Sequence, residues 1–260
     1  MSGLIRSPAA GSSLFGESLR LTVAASILFL VAVAATFFFC RSMSGDMPMS
    51  SAGTMSMIWM RMPGWSWSAS AAWFLLMWLA MMVAMMLPSA LPMLSRFHPA
   101  RAAALAACGY FVVWLGAGLL VYGAGVAWSL AAMRWSTVSR AAPTLTGAML
   151  VLAGAAQLSG WKSAGLARCR ERGRCGGPEG GGGVSTGLRE GIRQGLYCVA
   201  CSAGPMLVLL AVGLMNPLAM TVVAVLISLE KLVANPRPVT VASGFLILLA
   251  GTTLILRALV

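Results

Sequence analysis

Sulfur is the chemistry this sequence offers in quantity. The apolar stretch Trp73–Met93 carries Met77, Met81, Met82, Met85, Met86 and Met93. At 100° per residue, Met77, Met81 and Met85 share one slowly drifting helical face, with Met82 and Met86 beside it. Thioethers are neutral and soft, so such a ladder suits Cu(I) far better than Ca²⁺ or Mg²⁺ and costs little to bury. The alternative is packing alone, because methionine also fills gaps in apolar helices.

The preceding segment, CRSMSGDMPMSSAGTMSMIWMRMPGWSW, holds Met43, Met47, Met49, Met55, Met57, Met60 and Met62 among small and polar residues. Gap-filling does not explain methionines where there is no core to fill. Met47 with Met49, Met55 with Met57 and Met60 with Met62 are Met-x-Met pairs. On an extended chain, where side chains alternate, such a pair sets two sulfurs on one side. Trp65 and Trp67 close the segment as interfacial anchors.

The third sulfur group is made of thiols. Cys198 and Cys201 are three apart, on one face of a helix, and a Cys-x-x-Cys pair chelates a soft metal or cycles as a dithiol. Cys169 and Cys175 lie upstream in an Arg-rich stretch and Met206 lies downstream. One histidine and six acidic residues leave little for Zn²⁺, Ni²⁺ or Mn²⁺. His98, between Arg96 and Arg101, reads as an exposed loop residue. There is no Ser/His/Asp set, carboxylate pair or phosphate-binding loop, which argues against a hydrolytic enzyme.

These groups must be positioned by a membrane bundle. Of 260 residues, 59% are hydrophobic and 9% charged, and the mean hydropathy is +0.88. That composition predicts an all-α, polytopic helical bundle. Seven spans are expected, at Leu19–Phe39, Ser70–Leu94, Ala103–Trp128, Ala141–Gly160, Gly195–Met215, Pro217–Val233 and Val239–Leu259. Thirteen Lys and Arg fall inside and five outside if the N-terminus is cytoplasmic, so the expected topology is N-in and C-out. The expected location is the cell inner (cytoplasmic) membrane, multi-pass. The net charge of +12 then reflects topology and attraction to anionic lipid, not nucleic acid.

Residues 1–18 form a flexible N-terminus and 19–260 a single transmembrane domain, with a Met-rich outer loop at 40–68 and a Cys/Arg/Gly-rich cytoplasmic loop at 161–193. The thiols at the cytoplasmic side are expected to stay free. Cys108 reads as a buried apolar thiol, Gln157 as a polar residue facing the bundle, and Met215-Asn216-Pro217 as a tight turn. Glu230 is either an ion ligand or the partner of Lys231, the pairing being preferred. The last span carries no visible chemistry.

Against this background the chain resembles a family of bacterial integral membrane proteins described as predicted metal-binding, a domain of unknown function. The resemblance covers about residues 70–235. It rests on AMMLPSALPM at Ala84–Met93, Tyr110 with Trp114, AGAAQLSGWK at Ala153–Lys162, Cys169-Arg170, GIRQGLYCVACSAGPM at Gly191–Met206, Gly213 with Met215-Asn216, and Glu230-Lys231. The chain departs from the family pattern at Gly165 and at Ser202, where further cysteines are common. The resemblance implies metal binding and no particular reaction.

The functional expectation is a membrane protein handling a soft metal, Cu(I), by uptake or delivery. The ligand set is Met47, Met49, Met55 and Met57 outside, Met77, Met81, Met82, Met85 and Met86 within, and Cys169, Cys198, Cys201 and Met206 at the receiving end. The partners are the lipid bilayer, the ion, and a copper chaperone or membrane cuproenzyme. Two alternatives stand beside it: a membrane thiol-disulfide oxidoreductase using Cys198 and Cys201, and a structural or assembly subunit of a larger membrane complex.

Overall fold

A computed structural model describes residues 8–42, 46–49, 53–56, 59, 64–97, 100–175, 184–233 and 235–259. The chain runs α1 (Pro8–Ser42), β1 (Asp46–Met49), β2 (Gly53–Ser56), α2 (Trp67–Leu94), α3 (Ala100–Arg134), α4 (Ser136–Leu158), α5 (Gly160–Cys175), α6 (Val184–Val212), α7 (Pro217–Leu232) and α8 (Arg237–Leu259). Helices stand at all seven expected positions. Six of them, α1, α2, α3, α4, α6 and α8, are long and apolar enough to cross a membrane. α7 has 16 residues.

The stretch 161–193 is largely helical, forming α5 and the opening of α6. The Met-rich stretch forms a short antiparallel hairpin whose register pairs Met47 with Met55 and Met49 with Gly53. Met57 and His98 lie outside the described residues, as do Met43, Met60 and Met62.

Local chemistry sets the helix ends. The Ser66 side chain caps α2 by accepting from the Ala69 amide. Gly213, at φ +114°, ends α6 in the left-handed region that glycine tolerates. Asn216 then caps α7, and Pro217 opens it. The expected tight turn is therefore a Gly-terminated helix running directly into a Pro-started one.

α2 is the central element. It packs on α1, α3, α5 and α7, and Met77, Met81, Met82, Met85, Met86 and Met93 are all buried along it. Around it, small residues let helix backbones approach closely. Ala102, Ala106 and Tyr110 of α3 meet Gly187, Gly191 and Gly195 of α6 in ascending order, so these two helices run parallel. A Cβ added to Gly187 would stand 2.6 Å from the Ala102 carbonyl oxygen.

Gly147 and Gly154 of α4 meet Gly251 and Gly244 of α8 in descending order, so this pair runs antiparallel. On α3, Gly118 lies under the Trp78 ring and Gly125 under that of Trp59, whereas Gly116 and Gly123 face open space. The outward faces are Leu, Val, Phe and Ile, among them Leu120 at 77% exposure.

Candidate metal centre

Gln194, Cys198, Cys201 and Ser202 recur at i, i+4, i+7 and i+8, which sets them on one face of α6. All four are buried, Cys198 to 1% and Cys201 to 2% exposure. Three other helices converge on that face. From α2, Met86 brings its Sδ within 3.9 Å of Cys198 Sγ. From α3, the Tyr110 hydroxyl donates to Cys198 Sγ at 2.9 Å. From α7, the Lys231 ammonium donates to the same sulfur at 2.7 Å and reaches Ser89 Oγ at 3.4 Å.

The second thiol extends the cluster. Cys201 Sγ donates to the Cys198 carbonyl at 3.3 Å, and its thiol lies against that of Cys169 on α5. Gln194 Nε2 donates to the Cys169 carbonyl at 3.2 Å and to its Sγ at 3.4 Å. The neighbouring Cys201 thiol holds the Cys169 thiol below its ordinary range; burial opposes this, while Lys231 and Gln194 assist. Ser202 Oγ stands 3.9 Å from Cys198 Sγ and 3.8 Å from Cys201 Sγ.

The expected sulfur ligands divide accordingly. Met86 reaches Cys198, and Cys169 lies against Cys201. Met81 and Met85 instead line a cavity of about 410 Å³ between α1, α2 and α7, together with Cys40 and Met220. Met77, Met82 and Met206 are buried in the main core with no polar contact between them and the thiols. Met47, Met49 and Met55 are on the hairpin. Among the described residues Cys108, Cys169, Cys198 and Cys201 are free thiols.

Three expectations need correction. Cys108 is exposed on the outer face of α3, not buried. Glu230 does not pair with Lys231. Its carboxylate accepts from Lys162 Nζ at 2.8 Å and also from Gln157 Nε2, while Lys231, one position on, turns about 100° around the helix toward the thiols. The last helix also has a polar role, because Ser243 Oγ accepts from Gln157 Nε2 at 3.1 Å. Gln157 faces the bundle, as its burial in an apolar helix requires.

Among the described residues no three His, Cys, Asp or Glu side chains converge as a ready-made metal cage. The donors that approach one another are two neighbouring thiols and a thioether, a set suited to a soft ion of low coordination number. Sequence reasoning on ligands missed Tyr110, Lys231, Gln194 and Ser89. The spacing of Gln194, Cys198 and Ser202 on one helical face was the available signal.

Residues 75–254, more than half of the 260 residues, match the PpoB2 family, described as copper chaperone. The chain belongs to this copper chaperone family. Neither a curated protein nor a solved structure matches it significantly. The family match runs from within α2 to within α8 and so contains the whole thiol cluster; α1 and the methionine hairpin precede it. The motif resemblance implied only a metal, and the description of the matched family is copper-related.

Proposed function

We propose that this protein holds Cu(I) inside a membrane bundle and hands it to a cuproprotein partner, with Cys198, Cys201 and Met86 as the principal ligands and Cys169 as the receiving thiol. The observation that carries the reading is the approach of Met86 Sδ to Cys198 Sγ from a different helix, in surroundings closed to water. A thioether in contact with a buried Cys-x-x-Cys is of little use to hydrolysis or to thiol exchange. It supplies a neutral third donor to a soft cation.

Burial also weighs against the thiol-disulfide alternative. A dithiol that exchanges with a protein substrate needs an accessible attacking sulfur, and neither Cys198 nor Cys201 has one. The assembly-subunit alternative leaves the ammonium and hydroxyl directed at Cys198 without a purpose.

Seven crossings fit the packing directions, and the Lys and Arg bias orients them N-in and C-out. α3 and α6 run parallel, as helices separated by one crossing must. α4 and α8 run antiparallel, which requires that α7 reverse the chain between α6 and α8. At 1.5 Å per residue, α7 spans about 24 Å, somewhat less than a typical hydrocarbon core. In this orientation Lys162, Glu230 and Lys231 lie toward the cytoplasm. The ion would pass from the hairpin methionines, along Met77, Met81 and Met85, to the thiols, from weaker donors to stronger ones.

The test is copper stoichiometry of the purified chain loaded with Cu(I) under reducing conditions. The wild type should retain about one ion, and Cys198→Ser/Cys201→Ser should retain none. Equal retention by both would remove the thiols from the site.

A further inference from the structure

Lys231 is an unusual neighbour for a cation site. Its ammonium donates to Cys198 Sγ at 2.7 Å and stands 3.9 Å from Met86 Sδ, among the groups that would hold the ion. A bound cation is ordinarily the largest local charge, and a second positive charge beside it is tolerated only if the anionic ligands outnumber the ion's own charge. Among the described residues no carboxylate pairs with Lys231. The adjacent one, Glu230, points about 100° away around α7 and is already neutralised by Lys162.

We propose that Lys231 is a specificity-determining residue that makes the site select a monovalent soft cation over a divalent one; this rests on the copper reading above. Two thiolates, one monovalent cation and one ammonium are neutral together. With a divalent cation in the same place, one positive charge is left unbalanced in an interior where charge is expensive to hold. Met86 and Ser89 contribute no charge to either side. The thiols alone do not make this distinction, because thiolates bind soft monovalent and soft or borderline divalent ions alike. The ammonium provides it, and in the absence of metal it also gives the Cys198 sulfur a partner.

Ag(I) and Cd(II) are the probes, because both are soft, neither changes oxidation state under the assay, and they differ in charge. Competition for each is measured on the full chain in detergent, for wild type, Lys231→Met, Lys231→Gln and Lys231→Arg, using only protein that elutes as a single folded species. The two neutral variants keep the proposal testable if one of them fails to fold. In Lys231→Met or Lys231→Gln the ratio of Ag(I) to Cd(II) affinity should fall at least about tenfold, which is about 1.4 kcal/mol. Lys231→Arg, which keeps the charge, should restore most of it. A ratio within twofold of wild type in the neutral variants overturns the role of Lys231 and leaves the copper reading standing. A wild type that binds neither Ag(I) nor Cu(I) overturns both.

Discussion

Lys162 and Glu230, 68 residues apart in the chain, meet across α5 and α7 at 2.8 Å with 4% and 3% of their side chains exposed. The pair ties the end of α4 and the start of α5 to the last turn of α7, through the Gln157 amide that bonds both. Removing one member leaves a buried charge unpaired, at a cost of about 3–5 kcal/mol. Lys162→Met and Glu230→Leu should each lower the thermal midpoint of the solubilised protein markedly. The double variant should recover much of the loss, since apolar replacement of both partners is often near neutral. A double variant worse than either single one would show that the pair is not the unit that matters.

The close approach of α3 and α6 predicts a contrast between two glycines. Gly191 lies against the Ala106 backbone, whereas Gly116 has open space around it. Gly191→Leu should force the helices apart, cost about 1–3 kcal/mol or more, and weaken copper binding without touching a ligand, because Tyr110 and Cys198 lie a little farther along the same pair. Gly116→Leu should behave as wild type in both assays.

Copper affinity should likewise separate two adjacent rungs of the methionine ladder. Met86 touches the Cys198 sulfur and Met82, equally buried, does not. Met86→Leu should raise the Kd for Cu(I) about tenfold, roughly 1.4 kcal/mol, while Met82→Leu should change it less than twofold. Equal effects would mean that the ladder acts through packing, as methionine does in ordinary cores.

Topology has its own check. A reporter active only in the cytoplasm should be bright when fused after Cys175 and silent when fused after Leu259. Bright signals at both points would mean that α7 does not cross, leaving the antiparallel packing of α8 on α4 to be explained otherwise.

Much of this architecture was legible in hydropathy, because spans of about twenty apolar residues announce themselves. The Cys-x-x-Cys face and the buried ladder followed from helical periodicity. Three things did not. α5 is a short helix in an Arg- and Gly-rich stretch with no apolar periodicity, and it is helical because it docks Leu166 and Cys169 into the bundle. Lys231 looked like the partner of Glu230 because they are adjacent, but neighbours on a helix point about 100° apart, so each met a different set of helices. Tyr110 reaches Cys198 across 88 residues, and nothing in local spacing reports a contact that parallel packing of α3 and α6 creates.

The most direct test of the sulfur centre is X-ray absorption at the copper edge on the Cu(I)-loaded chain. An all-sulfur first shell of two or three atoms is expected for wild type, with one sulfur lost in Met86→Leu and the shell replaced by lighter atoms, or the copper gone, in Cys198→Ser. A wild-type shell dominated by nitrogen or oxygen, or a sulfur shell unchanged in Cys198→Ser, would contradict the account.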